Sequence, residues 1–106
     1  MTTPFEELAG LDRLIHEPAR FSILTALSAV KSADYLFLQR LTGLTEGNLS
    51  SHLSKLEDSG LVRIEKRFLD KKPHTQVQIS GKGRNAIENH WKQLVVLRRD
   101  TKVWKP

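Results

Sequence analysis

Near residue 60 the apolar spacing of this chain drops from about four residues to two, and few folds accommodate that switch in so short a length. Upstream, Leu49, Leu53 and Leu56 recur at i, i+4 and i+7, between Thr45, a good N-cap, and Gly60, a good stop. On a helix over 45–59 those leucines lie within about 60° of one another. Downstream, Val62 and Ile64 alternate with Arg63 and Glu65, and Val77 and Ile79 with Gln76 and Gln78. Pairing Val62 with Ile79 and Ile64 with Val77 satisfies one antiparallel register. It predicts a hairpin whose loop, roughly Phe68 to His74, carries Asp70-Lys71-Lys72-Pro73 as a basic tip.

The flanking segments read as helices. Leu8, Leu11 and Leu14 or Ile15 predict one over 5–15, weakened by Gly10. Glu17-Pro18 starts a second, running to about Val30, with Phe21, Ile23, Leu24 and Leu27 on a wide apolar face. Lys31-Ser32-Ala33 reads as an extended link. Asp34 caps a short helix, Tyr35 to Leu41, whose inner face is Tyr35, Leu38 and Leu41 and which Gly43 ends. Ser80 or Gly81 leads into a last helix with Ile87, Trp91 and Leu94 or Val95 inward, followed by a basic tail over 98–106. The predicted class is α+β, mostly helical: four helices, a two-stranded hairpin and a final helix. We expect one domain over 1–106, with its core about 11–97.

A chain of 106 residues should expose roughly 6,000 Å² when folded, enough for one modest core. With 39% hydrophobic residues, that core is thin and open to completion by a second subunit. The absence of cysteine excludes a disulfide framework and thiolate chemistry and suits a reducing cytoplasm. No uninterrupted apolar run exceeds four residues, as at Leu94 to Leu97, and no signal segment opens the chain, so we expect a cytoplasmic protein without a membrane span.

Charge is distributed unevenly. Residues 1–60 carry a balance of −3 and residues 61–106 one of +8, which points to a face meant for a polyanion. The helix over 45–59 fits that purpose. Opposite its leucines stand Gly47, Asn48, Ser50, Ser51, Ser54 and Lys55, a small and nearly uncharged face that sacrifices helix propensity. A helix of about seven residues, a Thr-Gly-Leu turn and this second helix make a helix-turn-helix. Small side chains would let its axis approach base edges in the major groove of double-stranded DNA, and Lys55 would reach a phosphate or a guanine. Arg63, Lys66, Arg67, Lys71, Lys72 and His74 gather on the hairpin, where they could meet the backbone or the minor groove.

The runs TGLTEGNLSSHLSKLEDSGLVRIEKRF and DKKPHTQVQISGKGR, in that order and spacing, resemble the small winged-helix transcriptional regulators related to the MarR and ArsR groups. The resemblance covers about residues 11–97. It implies a homodimer on a near-palindromic operator, with recognition contacts near Asn48, Ser50, Ser51 and Lys55 and wing contacts near Lys71 and Lys72; we expect Thr45, at the start of the same helix, to contact DNA as well. It also implies that the first and last helices make the dimer. Leu8, Leu11, Leu14, Ile15, Trp91, Leu94 and Leu97, with Trp104 as a further candidate, go beyond what a small monomer core should need and suit that role. A small-molecule effector would then have only the dimer interface to bind. The expected activity is repression by occupying a promoter.

Other chemistry finds no support in the pattern. Ser51 and His52 are adjacent on a helix and cannot face each other as nucleophile and base, so no enzyme is expected. His16, His52, His74 and His90 lack ligand spacing, and no metal or cofactor is expected. Gly81-Lys82-Gly83 lacks the strand and Gly-Lys-Ser/Thr pattern of a phosphate loop and reads as a helix start. The rival function is a winged helix that binds protein or RNA. Such a module would ordinarily present an acidic or apolar recognition face and a neutral wing.

Overall fold

The computed structural model describes residues 2–106. Among these the order is α1 (Pro4–Ala9), α2 (Pro18–Val30), β1 (Ser32–Asp34), α3 (Tyr35–Thr42), α4 (Glu46–Asp58), β2 (Val62–Leu69), β3 (Lys72–Ile79) and α5 (Gly81–Lys102). The α+β, mostly helical winged arrangement expected from the sequence is present.

Local chemistry fixes the element ends. Glu17 caps α2, its carboxylate accepting from the backbone N–H groups of Ala19 and Arg20. Asp34 caps α3, Thr45 caps α4 and Ser80 caps α5, each through a side-chain oxygen that accepts a backbone N–H three residues on. Gly43 ends α3 at φ 71°, in the left-handed region where a Cβ is costly. The start of α5 is seated as a unit. Ser80 Oγ donates to the carbonyl of Gly60 at 2.6 Å, and Lys82 Nζ donates to that of Ser59 at 2.9 Å. A Cβ on Gly83 would run into the Leu61 carbonyl, so glycine there permits the close approach of α5 to the sheet.

One cluster forms the core. Ile23, Leu24 and Leu27 of α2 meet Leu38 of α3, Leu49, Leu53 and Leu56 of α4, Val62 and Val77 of the sheet, and Ile87 of α5. The register pairs Val62 with Ile79 and Ile64 with Val77, as the alternation required.

Several expectations are corrected. The hairpin is not two-stranded in isolation: Ser32, Ala33 and Asp34, read as a link, pair antiparallel with Gln78, Val77 and Gln76 and make a third strand, in the order β1-β3-β2. The loop is also shorter. Leu69 pairs with Lys72, leaving only Asp70 and Lys71 as the turn, both at positive φ (51° and 62°), the two-residue geometry whose twist matches the strands. Helix α1 stops at Ala9 instead of reaching residue 15. Beyond Gly10 the Asp12 carboxylate accepts from the N–H of Leu14 at 2.9 Å, a local turn that competes with helix. Leu41 is exposed. The inner stripe of α5 is Ile87, His90 and Leu97, with Trp91 about half exposed, and α5 continues through residues 98–102, which were read as tail.

The molecule is elongated, 63 × 25 × 21 Å with a radius of gyration of 16.3 Å, against about 13 Å for a compact chain of this length. Its surface of 7364 Å² exceeds the expected 6,000 Å² for the same reason. The 22-residue α5 is about 33 Å long, and α1 packs along it. Phe5 meets Trp104 edge to face at 5.1 Å.

Candidate nucleic-acid interface

The neutral face of α4 is uncovered. Thr45, Gly47, Asn48, Ser50, Ser51, Ser54 and Lys55 are all exposed, while Leu49, Leu53 and Leu56 on the other side are buried. Two of the exposed hydroxyls are already engaged. Thr45 Oγ1 accepts from the N–H of Asn48 at 3.2 Å as the cap. Ser50 Oγ lies 2.8 Å from the hydroxyl of Tyr35, which itself donates to the carbonyl of Glu46 at 2.6 Å. Tyr35, read as an inward residue of α3, therefore reaches across the helix-turn-helix and pins the first turn of α4.

The wing projects beside this face, and strand alternation divides its cations. Lys66 shares a side of the sheet with Val62, Ile64, Val77 and Thr75, whereas Arg63, Arg67, Lys72 and His74 share the other. Lys71 sits in the turn. All are exposed except His74, which is partly covered. The Arg67 guanidinium donates to Glu65 Oε2 at 2.8 Å, and this bond holds the Glu65 carboxyl below its ordinary range and raises Arg67. Arg67 is thus partly neutralised, and Arg63, Lys66, Lys71 and Lys72 carry the wing's usable charge. The alternation gave no warning of Phe68, which is 78% exposed at the wing tip. Between α4 and the wing lies a hollow of about 610 Å³, bordered by Tyr35, Glu46, Ser50, Glu57, Lys66 and Thr75.

On the far side, Arg20 is buried within the apolar face of α2. Its Nε donates to the Leu14 carbonyl at 2.6 Å and its Nη2 to that of Arg13 at 3.1 Å. Nη1 lies 3.0 Å from His52 Nδ1 on α4. Glu17 joins them, 3.7 Å from Arg20 and 3.6 Å from His52. Partial burial pushes the Glu17 carboxyl up. The backbone N–H groups of Arg20 and Ala19, with the guanidinium charge of Arg20, outweigh that and leave it below its usual value. His16 and His90, read as scattered, meet with Nδ1 and Nε2 3.0 Å apart. Burial, then His16, lower the His90 pKa, with Asp12 opposing. Two rings do not make a metal centre, and among the described residues no group of three or more His, Cys, Asp or Glu is placed to hold an ion.

The residues expected at a dimer interface separate into three sets. Leu11, Ile15 and Leu97 are buried within the single chain, so the surplus inferred from the sequence does not include them. Leu14 is partly buried against the core and Leu94 is half-buried. Leu8, Trp91 and Trp104 are exposed, as is Val95, which was expected inward, and sequence reasoning missed Phe5, Val96 and Val103, exposed on α1 and toward the C-terminal end. Among the described residues no helix is long and apolar enough to cross a membrane.

Comparison with known proteins agrees with this geometry. Residues 19–97 match the family described as winged helix DNA-binding domain. The chain is 30% identical over 88 residues to an uncharacterized protein of Methanocaldococcus jannaschii, covering 83% of this chain and 96% of that one. A transcriptional regulator homologue from Pyrococcus horikoshii superposes with a TM-score of 0.83 at 28% identity, covering 91% of this chain and 94% of that one. A MarR family transcriptional regulator from Silicibacter pomeroyi shares the fold, with a TM-score of 0.67 at 22% identity over 97% of this chain and 67% of its own. The chain belongs to the winged helix DNA-binding domain family and is a DNA-binding regulator rather than an enzyme.

Proposed function

We propose that the protein is a homodimeric, sequence-specific repressor that lays α4 in the major groove of a near-palindromic operator and sets its wing against the flanking backbone or minor groove. The observation that carries this reading is the bare, small and almost uncharged face of α4 standing beside an exposed cationic wing. Asn48 and Ser51 are the side chains we assign to base edges, with Gly47 allowing close approach. Lys55, Arg63, Lys66, Lys71 and Lys72 are assigned to phosphates.

The arm formed by α1 and the end of α5 supports a two-fold partner. Phe5, Leu8, Val96, Val103 and Trp104 leave apolar surface exposed there. Two-fold pairing there would present the two α4 helices to successive major grooves about 34 Å apart. A small apolar effector has a place beside Trp91, in a hollow of about 440 Å³ lined also by His16, Phe21 and Thr25.

Selection of bound duplexes from a random pool tests the proposal. The expected result is a site with two inverted half-sites and an affinity that falls steeply with salt. No affinity for any duplex at low salt would overturn it in favour of a protein-binding or RNA-binding role.

A further inference from the structure

Resting on the DNA-binding reading, we propose that Tyr35 makes Ser50 a hydrogen-bond acceptor alone, so that Ser50 selects a base pair offering a major-groove amino group, cytosine N4 or adenine N6. The inference follows from counting hydrogens along a three-oxygen chain. The Tyr35 hydroxyl has one hydrogen, and its oxygen is 2.6 Å from the carbonyl oxygen of Glu46, which can only accept. The hydrogen must lie between them, because two bare oxygens would repel at that distance. Ser50 Oγ is 2.8 Å from the same Tyr35 oxygen. Since the tyrosine hydrogen is committed, the serine supplies the hydrogen of this second bond. Ser50 then has no hydrogen left and presents only lone pairs to solvent, where it is exposed.

A hydroxyl free to rotate can donate to guanine O6 or N7 or to thymine O4, and can equally accept from cytosine or adenine, so it discriminates weakly. Tethering removes half of that repertoire. Donation along the chain also polarises the serine oxygen and makes it a better acceptor. The same logic keeps Ser50 away from phosphates, which are acceptors themselves. Tyr35 is well placed to hold the arrangement. Its ring packs against the core, and Asp34, paired with Gln76 across the sheet, caps the helix that Tyr35 begins.

Tyr35 is a positioning residue, and its conservative variant is the informative one. On the selected operator, Ser50→Ala identifies the base pair at which discrimination is lost. At that position the wild-type protein should prefer cytosine or adenine over guanine or thymine on the contacted strand by about tenfold, the scale of one good base contact. Tyr35→Phe returns the serine hydrogen to solvent, and the preference should shrink to about twofold while the salt slope and melting temperature hold. Duplexes carrying 2-pyrimidinone for that cytosine, or purine for that adenine, lack the amino group and should lose the same tenfold with the wild-type protein. A wild-type preference for guanine or thymine overturns the inference, as does operator binding that ignores Ser50→Ala or the missing amino group. In each of those cases the DNA-binding reading stands. Absence of binding to any duplex defeats both.

Discussion

Nη1 of Arg20, buried in α2, lies 3.0 Å from Nδ1 of His52 on α4, so the helix with the bare face is tied directly to the base of the N-terminal half. The guanidinium is always a donor, and Nδ1 of His52 is therefore the acceptor. The same guanidinium satisfies two carbonyls of the segment between α1 and α2.

Arg20→Met should fill the space but leave those carbonyls unpaired, lowering stability by about 2–4 kcal/mol in urea unfolding. His52→Ala removes one partner from one end and should cost about 1 kcal/mol. Equal losses would mean that the contact to α4, and not the pair of carbonyls, dominates.

The wing and the neutral helix face should fail in different ways. Lys71→Ala or Lys72→Ala should weaken binding to all duplexes alike and reduce the salt slope by about one. Ser51→Ala or Asn48→Ala should relax preference at particular base pairs by about 1–3 kcal/mol and leave the slope alone. Lys71→Gly separates charge from conformation. Glycine relieves the positive φ at 62° and should stabilise the fold by about 1 kcal/mol, while DNA affinity falls as in Lys71→Ala.

Acid should loosen the seat of α5. Because the His90 pKa is lowered in the fold, the unfolded chain takes up a proton first as pH drops, and stability falls with it. The contribution is fully present above the ordinary value of 6.5 and declines below it, before Glu17, whose window opens under 4.5, begins to matter. Melting temperatures between pH 8 and pH 5 should therefore fall on the acid side, and His90→Gln should flatten that limb.

Leu8→Asp places a charge on the exposed arm without touching the core. If two copies pair there, sedimentation should show a monomer, with the melting temperature of the dissociated wild-type chain and operator affinity reduced by at least 100-fold. An unchanged dimer would move the interface elsewhere.

How much of this was legible in the sequence depends on the range of each signal. The caps at Asp34 and Thr45, the stop at Gly43 and the Val62–Ile79 register rest on neighbours a few residues away or on strict alternation, and the structure has each of them. Leu49, Leu53 and Leu56 faced inward for the same reason. What periodicity cannot encode is which distant groups meet. Arg20 sits on an apolar stripe because carbonyls six and seven residues away turn toward it, and His16 finds His90 from 74 residues away. Trp91 and His90 are adjacent, and only the docking of α5 on α2 decides that the imidazole goes inside. Strand β1 was too short to carry an alternation of its own, and the Tyr35–Ser50 contact depends on the angle between two helices.

That three-residue strand has a mechanical meaning. Through β1 the connector between α2 and α3 is stitched to the same strand that carries half of the wing, so the pitch between hairpin and reading helix is set once, when the chain folds. A signal molecule could not silence such a protein by swinging its wing aside. If two copies pair as proposed, it would act by altering how far apart, or at what tilt, they stand on the double helix.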